Sequence, residues 1–167
     1  MKKTYYTWSD VERQTQEILR QLQRDAWMPD YVVGLTRGGL VPANLISQYL
    51  ECPMECLKVS LRDNNAPPEH NCWMAEDAFE GKRILIVDDI NDSGATLNYI
   101  KQDWQSSCFP DDHERWDHVW NDNVRVAVLC DNEASSSELK ISYSAVDLNK
   151  AEEDVWIVFP WEEFWKH

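Results

Sequence analysis

The sequence predicts an α/β fold: a mainly parallel, open sheet flanked by helices. Three observations lead there. Short apolar runs rich in Val and Ile alternate along the chain with segments of helical period. The central run, Ile84-Leu85-Ile86-Val87, is apolar at four consecutive positions, as suits a strand buried on both faces of a parallel sheet. Glycines, hydroxyls and carboxylates cluster just after two of these runs, where the carboxyl edge of an open α/β sheet binds ligands. With 167 residues, 43% of them hydrophobic, the chain can fill one core, so residues 1–167 are expected to form a single domain.

The elements follow in order. Ser9-Asp10-Val11-Glu12 fits a capping box, and Trp8, Val11, Thr15, Ile18 and Leu22 recur at helical spacing, predicting an amphipathic helix to about Arg24. Tyr31 to Leu35 reads as a short strand. The turn Thr36-Arg37-Gly38-Gly39 follows, and Pro42 then fits a first helical turn. Met54 to Ser60 reads as another strand. Leu61 to Ala75, with Asn64, Asn65, Pro67 and Pro68, reads as a long loop suited to act as a lid. Leu97, Ile100 and Trp104 mark one face of a helix, and Ser106 to Asn123 reads as a solvated acidic connection. Val124 to Leu129, Ser142 to Val146 and Val155 to Phe159 complete the strands.

Composition narrows the function. A formal charge of −14 disfavours a nucleic-acid partner, whose phosphates call for clustered Lys and Arg. The same charge repels an anionic substrate at long range, but screening over about 8 Å leaves local groups and bound metal to decide. No apolar run is long enough to span a membrane, and Met1 to Tyr6 lacks the apolar core of a signal peptide, so a cytoplasmic protein is expected. Five cysteines at irregular spacing suit reduced thiols better than a disulfide framework. Two metal sites are conceivable, Cys52, Cys56, His70 and Cys72 for zinc, and His113 and His118 with their neighbouring carboxylates.

Residues 84–97 carry the chemistry. The strand delivers Asp88 and Asp89 to the sheet edge. In the turn that follows, Gly94 and the first N–H groups of the next helix can wrap a phosphate, with Ser93 and Thr96 adding hydroxyls and the helix dipole favouring negative charge. Asp92 stands beside this cradle. The residues alone therefore read as a site for a phosphorylated sugar.

This string resembles the fingerprint for 5-phosphoribosyl-1-pyrophosphate (PRPP) in type I phosphoribosyltransferases, where hydrophobic residues precede two acidic residues and an Asp-Ser/Thr-Gly-x-Thr loop. The turn 36–39 resembles the family's pyrophosphate loop, which often contains a non-proline cis peptide, here expected near Thr36-Arg37. The tail Trp156-Ile157-Val158-Phe159-Pro160-Trp161-Glu162 resembles the nucleobase hood of the 6-oxopurine enzymes, especially the bacterial xanthine-guanine transferases and their archaeal relatives.

The resemblance implies transfer of the 5-phosphoribosyl group from PRPP to a 6-oxopurine (guanine, xanthine or hypoxanthine), with a small hood formed by the chain ends. It assigns PRPP binding to Arg37, Gly38, Gly39, Asp88, Asp89, Asp92, Ser93, Gly94, Ala95 and Thr96. Asp92 is also the expected general acid/base at purine N7, a role for a carboxyl shielded from water. Mg²⁺ is the expected cofactor, held by Asp88, Asp89 and Glu162. Base binding falls on Trp156 by stacking, on the Ile157 backbone, and on Asn132, while Trp161 is the better candidate for core. PRPP and a nucleobase are the expected partners, in a homodimer or homotetramer.

One departure stands out. A lysine that contacts the purine's 6-oxygen is expected just after the strand 126–130, and this chain reads Asp131-Asn132-Glu133 there. Asn132 is the available neutral donor. A transferase for another base, or a regulatory protein of the same fold that binds nucleotide or PRPP, remains an alternative.

Overall fold

The computed structural model describes residues 1–59, 68 and 71–166. In chain order the elements are β1 (Lys2–Tyr5), α1 (Trp8–Asp25), β2 (Tyr31–Thr36), α2 (Leu40–Leu50), β3 (Met54–Lys58), α3 (Cys72–Phe79), β4 (Ile84–Asn91), α4 (Ala95–Ser107), α5 (His113–His118), β5 (Val124–Asn132), β6 (Tyr143–Leu148) and β7 (Val155–Val158). A π-turn, Val119–Asn123, joins α5 to β5, and a 3-10 turn, Phe164–Lys166, closes the described chain.

Five strands form a parallel sheet in the order β3-β2-β4-β5-β6. Its central strand shows why the apolar run at 84–87 is unbroken. Ile84 and Ile86 point into a core with α3, α4 and the 116–120 segment, while Leu85 and Val87 point into a second core with α1, α2 and β7. All four are fully buried, each burial stabilising the fold by about 1.5–3 kcal/mol. β4 runs past the apolar stretch, through Asp88 and Asp89 to Asn91, pairing with β5 up to Asn91 and Asp131.

The chain ends make the hood. β1 and β7 pair in parallel, from Lys2 with Val155 to Tyr5 with Val158. The sequence gives β1 no signal of its own, since it is four residues long and largely exposed. Tyr6 packs edge-on against Phe159 at 5.7 Å, and Trp161 stacks on Phe159 at 5.0 Å.

Several boundaries differ from expectation. The capping box of α1 uses Thr7 and Asp10: the Thr7 hydroxyl accepts from the Asp10 N–H at 3.0 Å, and the Asp10 carboxylate accepts from the Thr7 N–H at 2.8 Å. The helix thus starts two residues before the Ser9-Glu12 reading, because Thr7 is already extended and bonds forward. β3 ends at Lys58. Most of the expected 61–75 lid lies outside the described residues, but its end does not form a loop: Asn71 accepts from Met74 N–H and starts α3 at Cys72.

The 106–123 segment is not simply a solvated connection. It folds into α5 and the π-turn, which bury Trp116, Val119 and Trp120. Trp104, Trp120 and Trp116 stack in a row with centroids 5.7 and 5.6 Å apart. The acidic residues dominate the composition of this stretch, yet Trp116 and Trp120 lie one turn apart on one face, and that face decides the packing. No helix among the described residues is long and apolar enough to cross a membrane.

Candidate active site

A cavity of about 1120 Å³ opens at the carboxyl edge of β2 and β4. Its walls include Thr36, Arg37 and Gly38 after β2, Lys58 at the end of β3, residues 88–97, and Trp161, Glu162, Glu163 and Trp165 from the tail. The parallel register explains the convergence, since Thr36 lies beside Lys58 and Asp88 beside Val128 at the same end of the sheet. Of the residues the sequence assigns, the cavity gathers Arg37, Gly38, Asp88, Asp89, Asp92, Ser93, Gly94, Ala95, Thr96 and Glu162. Lys58 is an addition that the sequence reading missed, because a lysine ending an exposed strand looks like ordinary surface.

Residues 92–97 form the expected cradle. Gly94 has φ +90°, a conformation that penalises any side chain, and caps α4. The Ser93 hydroxyl accepts from Ala95 N–H at 3.2 Å, and the N–H groups of the first α4 turn have no intrahelical partners. The cradle is braced from behind by 135–138: Ser136 N–H donates to Ser93 O at 2.9 Å, Asn98 bonds Ser136 O and Glu138 N–H, and Asn91 Nδ2 donates to Ser135 Oγ at 2.8 Å. In sequence, Ser135-Ser136-Ser137 is a featureless tract; its role exists only in the tertiary contact.

The 36–39 turn divides in two. Thr36-Arg37 is a cis peptide, where the family resemblance places one. Gly38 faces the Asp89 carboxylate. Gly39 does not open to the cavity: its N–H donates to Leu35 O at 2.8 Å, and a Cβ there would press on the carbonyls of Val87 and Leu35. This corrects the expected anion contact at Gly39, whose lack of a side chain serves close packing of the turn against β2 and β4.

Asp88 and Asp89 each turn a carboxylate oxygen to the backbone, Asp88 accepting from Asp89 N–H at 2.9 Å and Asp89 from Ile90 N–H at 2.8 Å. Among the described residues, five carboxylates line the cavity (Asp88, Asp89, Asp92, Glu162 and Glu163) against two cations, Arg37 and Lys58. Such a wall suits a divalent cation. Among the described residues no three His, Cys, Asp or Glu side chains form a ready metal cage. His70, of the expected cysteine set, lies outside the described residues. A single carboxylate or an adjacent pair together with substrate oxygens is the usual way Mg²⁺ is held, and Asp88-Asp89 fits it.

Asn132, expected at the base, is held in a network of the protein's own. It is 6% exposed, its Nδ2 donates to Asp92 O at 2.8 Å, and its Oδ1 accepts from Ala134 and Lys150 N–H at 3.1 and 3.0 Å. Its oxygen accepts twice and one amide hydrogen is engaged, so Asn132 clamps three loops together. The cation near this point comes from later in the chain. Lys150 Nζ lies 2.9 Å from Asp92 Oδ1, with 16% and 24% of the two side chains exposed, and 5.5 Å from the centroid of Trp156. Trp156 itself is 37% exposed, while the Ile157 side chain is buried in the core. Trp161 is half-buried: it packs against the core of α1, α2 and β7, stacking on Phe159 and meeting Trp8, and it also lines the cavity.

Beneath the site, Cys130 is fully buried and its thiol donates to Tyr6 Oη at 3.7 Å. Burial pushes the Cys130 thiol up to about 12, and burial with the neighbouring thiol pushes Tyr6 up as well.

The comparisons agree with this geometry. The family model "Phosphoribosyl transferase domain" matches residues 1–166. The chain is 26% identical over 167 residues to the xanthine-guanine phosphoribosyltransferase of Cereibacter sphaeroides, covering 95% of this chain and 86% of the relative. It is 27% identical over 161 residues to the enzyme of the same name from Idiomarina loihiensis, with the same coverage. Among solved structures, the purine phosphoribosyltransferase of Pyrococcus horikoshii superposes with a TM-score of 0.67 at 28% identity, covering 98% of this chain and 96% of that one. With its sheet, its phosphate cradle and a family match over nearly its whole length, this chain belongs to the phosphoribosyl transferase domain family.

Proposed function

We propose that the protein transfers the 5-phosphoribosyl group from PRPP to a ring nitrogen of a 6-oxopurine, releasing pyrophosphate and forming the nucleoside monophosphate. The observation that carries this reading is the position of Asp92, which sits at the lip of the phosphate cradle and reaches, through Lys150, the face of Trp156. A sugar phosphate held in the cradle and a base against Trp156 would meet beside that carboxylate. The relatives named for xanthine and guanine, matched over 86% of their length, support the base class.

In this reading Ser93, Gly94, Ala95 and Thr96 hold the 5-phosphate, and Arg37 with Gly38 takes the pyrophosphate, Arg37 offering a forked donor to its oxygens. Lys58 adds charge at the same end. Asp88 and Asp89 hold the ribose hydroxyls directly or through Mg²⁺, and Glu162, which lines the same cavity, would help hold a second metal. When bound, Mg²⁺ neutralises charge on the leaving group. Trp156 stacks on the base, the Ile157 backbone meets its edge, and Asp92 exchanges the N7 proton. Transfer passes through an oxocarbenium-like ribose, which the flanking carboxylates favour electrostatically. Residues 1–167 act as a single domain, assembled as a homodimer or homotetramer in the cytoplasm.

The test is turnover with PRPP and Mg²⁺ against guanine, xanthine, hypoxanthine, adenine, uracil and orotate. Nucleotide from a 6-oxopurine, reduced about 10²- to 10⁴-fold by Asp92→Asn with PRPP binding retained, is the expected result. Nucleotide from none of these bases, despite PRPP binding, would defeat it.

A further inference from the structure

We infer that Asn91 is a positioning residue: bonded to Asp131 and Ser135, it pins the end of β4 and so fixes the place of Asp92. This rests on the proposed function, because it takes Asp92 as the group that exchanges the proton.

Asparagine is a poor strand residue, and a buried polar side chain costs stability unless it is bonded. Asn91 is nonetheless the last residue of β4, and it is 4% exposed. Its amide nitrogen is used twice: Nδ2 donates to Asp131 Oδ1 at 2.9 Å and to Ser135 Oγ at 2.8 Å. An ionised carboxylate only accepts, so the amide has one orientation. Asn91 and Asp131 are already neighbours in the register of β4 and β5, and the side-chain bond locks the two strand ends together beyond the apolar part of the sheet. It also gives the carboxylate at 131 a partner within the protein.

Asp92 follows directly, and the chain is held differently on its two sides. On the cradle side, Ser93 O accepts from Ser136 N–H at 2.9 Å, and Asn98 bonds Ser136 O and Glu138 N–H. None of these bonds involves Asn91. On the strand side, the Asn91 amide sets the point from which Asp92 departs, while Asn132 holds the Asp92 carbonyl. Loss of the amide therefore moves the Asp92 carboxylate and leaves the phosphate cradle in place. Misplacing a reacting group by about 1 Å can cost on the order of 10²-fold in rate, whereas substrate held by an intact cradle keeps its affinity.

The experiment compares wild type with Asn91→Leu, which is similar in shape but has no donor, with Asp131→Leu, with Asp131→Asn, which keeps an oxygen acceptor, and with the N91L/D131L double variant. Kinetics with PRPP and a 6-oxopurine give kcat and KM, and hydrogen exchange read by mass spectrometry follows the amides of 92–96. N91L and D131L should each lower kcat about 10- to 100-fold with the PRPP KM within about threefold, and D131N should recover much of the loss. Because the two residues act through one bond, the double variant should fall no more than about twofold below the worse single variant. Exchange at 92–96 should quicken about tenfold or more in N91L, with 84–87 unchanged. Thermal melts check folding, and D131L carries the same test if N91L does not fold.

A folded N91L with kcat within twofold of wild type, or losses that multiply in the double variant, overturns the inference and leaves the transferase standing. Loss of kcat with unchanged exchange at 92–96 would place Asn91 in contact with substrate, and overturns it too. A wild type that turns over no base defeats the transferase reading instead, and the pin then stands if exchange quickens in N91L and D131L alike and falls if it does not.

Discussion

Gly38 faces Asp89 so closely that a Cβ at residue 38 would overlap the carboxylate, whereas the next glycine, Gly39, would press its Cβ on the backbone carbonyls of Val87 and Leu35. The two neighbours therefore serve different ends. In Gly38→Ala the obstacle is a side chain that can swing away, so the fold tolerates the methyl but Asp89 leaves its position. We expect the PRPP KM to rise about tenfold or more, with the melting temperature within a few degrees of wild type. In Gly39→Ala the obstacle is backbone of β2 and β4, and we expect about 1–3 kcal/mol of destabilisation. Equal loss of stability in both variants would contradict this division.

Asn132 offers a second prediction. Its buried amide satisfies the Asp92 carbonyl and the N–H groups of Ala134 and Lys150. Removing it in Asn132→Ala leaves those groups short of partners, at about 1–3 kcal/mol each where water does not enter. The loosened Asp92 should also lower kcat, while phosphate binding by the cradle changes less. Denaturant melts and steady-state kinetics on the same variant check both halves. A variant of normal stability and reduced kcat would mean that Asn132 contacts substrate after all.

Alkaline pH should weaken the fold. Cys130 keeps its proton in the folded state until about pH 12, whereas in the unfolded chain a thiol releases it near its ordinary value of 9.0. Below pH 9 both states are protonated and the stability is fully present. Above it the unfolded chain loses a proton that the native state retains, and stability falls, by at most about 1.4 kcal/mol per pH unit for this group. Tyr6 and Tyr31, raised chiefly by burial and, for Tyr31, also by its bond to Asp77, act with the same sign from about pH 10. Urea midpoints at pH 8, 9.5 and 10.5 should fall for wild type and fall less for Cys130→Ala. Parallel slopes would exclude Cys130 as the cause.

The parts of the site legible in sequence are those written in one local string. Ile84 to Thr96 declares a buried strand, an acidic edge and a phosphate turn because strand, turn and helix cap each impose residue types at fixed spacing. The rest depends on chain segments far apart in sequence. Lys150 sits 58 residues after Asp92 in an ordinary acidic turn, and Ser136 braces Ser93 from a tract with no periodicity of its own. For Asn132 the sequence showed a neutral donor at the right loop, but not that its amide ties Asp92, Ala134 and Lys150 together. The 106–123 segment misled for a related reason: its charges outnumber its tryptophans, yet buried aromatic area outweighs exposed charge.

That last point can be measured. Trp116 is fully buried, donates its Nε1–H to Cys108 O at 2.9 Å and stacks on Trp120. Trp165, near the chain end, is 69% exposed. If 106–123 were a solvated connection, alanine at 116 would cost little, as at an exposed position. Because the segment closes one face of the sheet, Trp116→Ala should instead cost about 3–5 kcal/mol, leaving a cavity beside Trp120 and an unpaired carbonyl at Cys108. For a chain of this length that lowers the melting temperature by roughly 10 °C, while Trp165→Ala stays within about 0.5 kcal/mol of wild type. Similar melting temperatures for the two variants would mean that α5 and the π-turn do not contribute to the core, and that the acidic stretch is surface as its composition suggests.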